Sequence, residues 1–108
     1  MSVMNVLGVT LMGPEFHEEF MGMVGECLKI NNEETGCVYI DAYASPGDSN
    51  KYMLVSIWTS EEALMTWYKS PFHIDLRKRG MQGLLKSYFS HQANMIPEKS
   101  HSWTRPEN

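Results

Sequence analysis

The chain has 108 residues, a formal net charge of -4 and 43% hydrophobic residues. That bounds it to one domain near the small end for burying a core alone, with no electrostatic reason to bind nucleic acid. Apolar runs break well short of the ~20 residues a membrane-spanning helix needs, and no basic segment leads into a cleavable apolar run, so a cytoplasmic protein without membrane contact is expected.

Residues 3–12 read as a first strand, punctuated by Gly13-Pro14. A helix is expected from Pro14, with Phe16, Phe20, Met23, Val24, Cys27 and Leu28 on one face and His17, Glu18, Glu19 and Glu26 largely on the other. Asn31-Asn32 and Thr35-Gly36 end the helix and turn the chain. Residues 37–43 read as a second strand. Pro46, Gly47, Asp48 and Ser49 form a turn cluster, and residues 52–58 pair back as a hairpin. Thr59 then stands where an N-cap would, and Glu62 completes a capping box. Ala63, Leu64 and Trp67 make an apolar stripe over a helix at 60–69. Ser70-Pro71 restarts a helix over 71–86, with Ser70 as N-cap and Pro71 at the first helical position. Arg77, Lys78 and Arg79, the one basic cluster, read as its solvated face. Residues 88–96 read as a fourth strand and close a domain over 1–96. The polar tail, 97–108, needs an anchor to stay in place, and Trp103 is the expected one, on its own domain or on a partner. Cys27 and Cys37 fit neither a CxxC nor a zinc spacing and read as buried free thiols.

The order β-α-β-β-α-β is the split unit of ferredoxin-like α+β domains, one four-stranded antiparallel sheet with helices on one face. A sheet with one face in water should alternate apolar and polar residues. The first and third strands do not. Val6, Leu7, Val9 and Leu11, then Met53, Leu54, Val55 and Ile57, put apolar groups on both faces. The helices cover one face, and the other is too apolar for a monomer. A second copy of the chain is the simplest cover, so a homodimer through the free sheet face is expected.

Three stretches carry a resemblance: Trp58 at the end of the third strand, the acidic helix start Ser60-Glu61-Glu62-Ala63, and the step Ser70-Pro71-Phe72-His73. Together they resemble the antibiotic biosynthesis monooxygenase family, small dimeric α/β barrels, over roughly residues 3–96. The resemblance implies a pocket between sheet and helices that takes a flat aromatic molecule. It also implies oxygenation that uses no bound cofactor, neither metal nor flavin. Haem-degrading members use an Asn on the first strand, a Trp on the helix after the third strand and a His further along. Trp67 stands at that Trp. Leu7 stands at the Asn, with Asn5 on the same face roughly 7 Å away, and Leu76 or Arg77 stands at the His. Haem degradation is therefore disfavoured, with His73, one helical turn earlier, as the possible substitute.

Many other members carry a carboxylate two residues before the terminal Trp, where this chain has Ser56. A base must then come from elsewhere, and His73 and His91 are the candidates, with Arg77 to stabilise an anion. The expected site has Trp67 and Phe72 as an aromatic wall beside Ser56, His73 and Asn5 orienting polar oxygens, and Arg77 facing a phenolate. Asp41, amid apolar residues on the second strand, is expected to face water. No Gly-rich phosphate loop, HExxH or GxSxG is present. The leading function is thus a cofactor-independent monooxygenase acting on a quinol-like aromatic. The alternative is a non-catalytic dimer that binds a small ligand or serves an interaction role, which the missing carboxylate favours.

Overall fold

The computed structural model describes residues 1–30 and 34–106. The Asn31-Asn32 helix stop lies outside them. Four strands form one antiparallel sheet: β1 (Val3–Leu11), β2 (Cys37–Ala44), β3 (Lys51–Trp58) and β4 (Leu85–Asn94), in the order β2-β3-β1-β4. Three helices lie on one side: α1 (His17–Leu28), entered through a tight turn at Pro14–Phe16, α2 (Glu61–Tyr68) and α3 (Pro71–Arg79). This is the ferredoxin-like α+β arrangement that the element order requires.

Strand alternation divides the sheet's chemistry. Val3, Asn5, Leu7, Val9 and Leu11 of β1 face the helices, as do Leu54, Ser56 and Trp58 of β3 and Ile40 of β2. The helix side holds two apolar clusters at opposite ends of the sheet. One joins Val9 and Leu11 to Phe20, Val24 and Leu84. The other joins Val3, Cys37 and Trp58 to Leu64, with Trp67 packed against it. Trp58 is fully buried, and its indole Nε1 donates to Ser56 Oγ at 2.9 Å. The opposite face carries Met4, Val6, Val55, Ile57 and Phe89, and no described helix covers it. Asp41 lies on that face, exposed, and its Oδ1 accepts from Ala42 N at 2.8 Å.

Three boundaries differ from the sequence reading. The N-cap of α2 is Ser60, not Thr59: Ser60 Oγ accepts from Ala63 N at 3.1 Å. Thr59 N–H is instead held by Gly36 O at 2.9 Å. Gly36 has a φ of 77°, and a Cβ there would press on Ala63 Cβ at 2.7 Å, so the turn before β2 fits against α2 only as glycine. The helix expected over 71–86 stops at Arg79. A five-residue wide turn, Gly80–Leu84, follows, with Gly83 at a φ of 116° that an ordinary side chain avoids. β4 accordingly starts at Leu85 rather than Tyr88. His17, on the polar side of α1, is half-buried, its Nε2 3.2 Å from Asn50 Oδ1 and its Nδ1 3.0 Å from the Tyr52 hydroxyl.

The tail leaves the sheet after Met95 N–H donates to Ser2 O at 2.9 Å. Trp103 is 71% exposed on its own chain, with the Arg105 guanidinium 5.1 Å from its ring centre. Cys27 and Cys37 are free and buried. No described helix is long and apolar enough to cross a membrane.

Candidate functional site

Between the two apolar clusters, the space under the helices is not filled. A cavity of about 460 Å³ opens there, within the size range of small-molecule pockets. Its floor is the middle of the sheet, from Asn5 and Leu7 of β1 to Leu54 and Ser56 of β3. Phe20, Val24 and Cys27 of α1 form one wall. Trp67, His73, Leu76 and Arg77, from α2 and α3, form the other.

The helix break aims the second wall. Ser70 ends one helix and caps the next: its Oγ donates to Trp67 O at 2.7 Å and accepts from His73 N at 3.2 Å. Pro71 at the first helical position fixes the direction of α3. The result brings the His73 ring edge-on to Trp67, centres 5.1 Å apart at 72°. Trp67 in turn lies over Trp58 at 6.3 Å, nearly parallel. Phe72 is not among the lining side chains; it backs Trp67 at 5.5 Å.

His73 is electrostatically tuned. Burial, then the Arg77 guanidinium, hold it below the usual imidazole value of 6.5. The Tyr68 backbone carbonyl pulls the other way, though no hydrogen bond reaches the buried Nδ1. His73 is therefore a neutral imidazole at pH 7. Arg77 donates to the Tyr68 hydroxyl at 2.8 Å, and its guanidinium lies 4.3 Å from the Tyr68 ring centre. Its neighbour Arg79 serves structure instead, reaching Glu26 of α1 and Asp75 at 3.2 Å each. Among the described residues, Arg77 is the one formally charged side chain lining the cavity, and none of their carboxylates lines it. Burial pushes the Cys27 thiol up to about 11, so it is a neutral, apolar part of the wall. His91 lies on the far face of the sheet, across from Val6 and beside Phe89, away from the cavity.

The structure thus gathers Asn5, Ser56, Trp67, His73 and Arg77 around one cavity. Sequence reasoning missed Tyr68, which carries Arg77, and the β4 residues Tyr88, Ser90 and Gln92, which complete the floor. Ser90 Oγ donates to Asn5 Oδ1 at 3.2 Å. The alternation Tyr88, Ser90, Gln92 was the available signal.

Residues 8–79 match the sequence profile of the antibiotic biosynthesis monooxygenases. No curated protein matches the chain. Among solved structures, a Deinococcus radiodurans protein named for the same monooxygenase family superposes with a TM-score of 0.80 at 8% identity, over 97% of this chain and 100% of that one. A Mycobacterium tuberculosis protein gives 0.78 at 18% identity, over 93% and 100%. A Pseudomonas aeruginosa protein gives 0.74 at 18%, over 88% and 94%. Likenesses at such identities establish the fold alone.

Proposed function

The chain belongs to the antibiotic biosynthesis monooxygenase family, and on that premise we propose that its cavity binds a quinol-like aromatic and oxygenates it without a bound cofactor. The observation that carries this reading is His73, a neutral imidazole set edge-on against Trp67 in a largely apolar wall. A general base must be unprotonated at working pH and within reach of the substrate proton. A flat substrate lies between Trp67 and the Leu7–Leu54 floor. Its phenolic hydroxyl gives a proton to His73, and the Arg77 guanidinium, at the exposed rim of the cavity, offsets the phenolate charge. Asn5 orients a ring oxygen. The electron-rich ring then reduces dioxygen. One oxygen atom becomes a new ring carbonyl. The other leaves as water with the hydrogen from that ring carbon and the one from the hydroxyl, so a phenol and dioxygen give a quinone and water. Oxygen uptake with 1-naphthol should fall by ~10²-fold or more in His73→Ala, the usual scale for a lost base. Uptake unchanged in that variant removes His73 from the role.

The same proposal pairs two copies through the sheet face that carries Met4, Val6, Val55, Ile57 and Phe89. An apolar face of four strands exceeds what a monomer usually leaves open. Sedimentation of a stable monomer at micromolar concentration would overturn it.

One observation favours a second reading, a dimer that binds a small aromatic ligand without converting it. Ser56 stands where the family resemblance leads one to look for a carboxylate, and its oxygen already accepts the Trp58 indole N–H. Saturable binding of 1-naphthol with no oxygen uptake would select this reading.

A further inference from the structure

The free sheet face carries charge only at its margins. Strand pairing sets rows across it in the order β2, β3, β1, β4: Tyr39–Ile57–Met4–Ala93, Asp41–Val55–Val6–His91 and Tyr43–Met53–Gly8–Phe89. The polar groups of these rows all stand on the two outer strands. At the β2 edge Tyr39 and Tyr43 flank Asp41, and their hydroxyls hydrogen-bond to each other. Asp41 Oδ1 accepts from Ala42 N at 2.8 Å, and Oδ2 has no partner among the described residues. At the β4 edge His91 lies beside Phe89, ring centres 5.5 Å apart. Asp41 and His91 are both exposed on their own chain. Three strand spacings, about 14 Å, keep them from meeting within it.

A two-fold axis can stack two such faces in two ways. With the axis across the strands, each strand lies over its own counterpart, so the carboxylate edge meets a carboxylate edge and the imidazole edge an imidazole edge. With the axis along the strands, between β3 and β1, β2 lies over the partner's β4 and β3 over the partner's β1. Each row then lies over its own copy, reversed. Only this arrangement sets Asp41 against an imidazole, whose N–H donates to a carboxylate whether the ring is neutral or charged. It also matches sizes. Tyr39 falls over the partner's Ala93, Val55 over the partner's Val6 and Ile57 over the partner's Met4. Met53 falls over the partner's Gly8, across which the Phe89 ring leans: a Cβ at Gly8 would lie 2.2 Å from that ring.

We propose that two copies pair with β2 over the partner's β4, and that Asp41 and the partner's His91 form the contact that sets this register, twice in each dimer. The inference rests on the pairing of sheet faces in the proposed function and adds its orientation and the residues that enforce it. The apolar rows supply affinity, and the edge contacts select among the ways of stacking them.

The test is crosslinking between copies. Asp41→Cys and His91→Cys chains are co-expressed and treated with a short bis-maleimide. Their heterodimer keeps one native Asp41–His91 contact and brings the two introduced thiols together at the other. Cys27 and Cys37 are buried and take no part. The mixture should give a covalent heterodimer, and neither variant alone should give a covalent dimer. A mixture without that product, or covalent dimers of one variant alone, overturns the orientation. In sedimentation, His91→Asp should weaken the dimer ~10-fold or more, because it sets two carboxylates against each other at both edges. Adding Asp41→His to that chain exchanges the two groups and should bring the dissociation constant back near wild type. A His91→Asp dimer as tight as wild type, or no recovery in the double variant, overturns the role of the pair. Failure of the underlying reading is separate: a wild-type monomer at micromolar concentration removes the pairing itself, whereas a dimer with the wrong crosslinks keeps the pairing and removes the register.

Discussion

Ser60 and Ser70 cap consecutive helices through the same kind of bond, and changing each to Ala separates stability from positioning. Ser60 Oγ accepts one bond, from Ala63 N at 3.1 Å. A lost N-cap of this kind costs ~1 kcal/mol. Ser70 Oγ accepts from His73 N at 3.2 Å and also donates to Trp67 O at 2.7 Å. Its removal loses the cap and a second hydrogen bond worth ~1 kcal/mol net. The second loss is partial, because Ser70 N–H still donates to Trp67 O at 3.0 Å and the site is half-buried, where water can enter. The expected costs are ~1 kcal/mol for Ser60→Ala and ~1.5 kcal/mol for Ser70→Ala. At fixed protein concentration these correspond to roughly 5 °C and 7 °C in Tm for a domain of about 100 residues.

Function should separate the two variants far more than stability does. The Ser70 hydroxyl joins the last turn of α2 to the first turn of α3 at the two residues whose rings meet over the cavity, Trp67 and His73. Misplacement of a reacting group by about 1 Å can cost up to ~10²-fold. Pro71 retains part of the geometry, so Ser70→Ala should lower kcat for oxygen uptake by ~10-fold with a smaller change in KM. Ser60→Ala, a full helix away from His73, should leave both constants near wild type. Equal kinetic effects from the two variants would refute the positioning argument. So would a Ser70→Ala protein that loses stability while keeping wild-type uptake.

The pH profile should follow His73. Only the neutral imidazole accepts a proton, so kcat/KM should be flat above pH 6.5 and fall tenfold per unit once pH drops below a midpoint that lies under 6.5; a midpoint above 7 contradicts the burial argument. The same shift makes the unfolded chain take up the proton first, so the His73 contribution to stability is intact above pH 6.5 and is lost as pH falls toward the folded value, which a denaturation series on wild type and His73→Ala would read. Gly8→Val should weaken the dimer by ~10-fold or more in sedimentation, because a Cβ there runs into the Phe89 ring and drives it out of the free sheet face; an unchanged dissociation constant places the interface elsewhere. Haem titration should give no tight stoichiometric Soret shift, because Leu7, and Leu76 or Arg77, stand where the family resemblance puts the Asn and His of haem degraders; an axial-histidine spectrum lost in His73→Ala would reverse that.

The sequence made the strands and helices legible because their periods are long and punctuated. Ser70-Pro71 announced the helix break, and the alternation of β1 and β3 announced which of their side chains face the helices. The boundaries it misplaced have local causes. Thr59 and Ser60 are both good N-cap residues, and only the tertiary bond from Thr59 N–H to Gly36 O decides between them. The stretch 71–86 contains Gly80 and Gly83, yet the apolar and basic residues around them keep a helical look past the true end at Arg79. The convergence of Trp67 and His73 could not be read from spacing, because six residues across a proline break fit no single helical period.

The residues that sequence reasoning missed on β4 lie on one face of the strand, and an irregularity at its start decides which face that is. Leu85 faces the cavity opposite Leu11, and strict alternation from Leu85 would turn Ser87, Phe89 and His91 inward. The pairing slips instead: Thr10 is opposite Ser87 while the adjacent Leu11 is opposite Leu85, so Lys86 is left over. A bulge of this kind shifts every later side chain to the other face. Tyr88, Ser90 and Gln92 therefore line the cavity, and Phe89 and His91 go to the free face. The one-residue irregularity assigns the amide of Gln92 to the ligand side and the Phe89 ring to the side proposed for the partner. The β4 side chains of the cavity floor and those of the free sheet face are thus both set by the same bulge. A strand without it would set the Phe89 ring opposite Leu7 and a second imidazole, His91, opposite Asn5, and would turn Ser90 and Gln92 to the apolar face of the sheet.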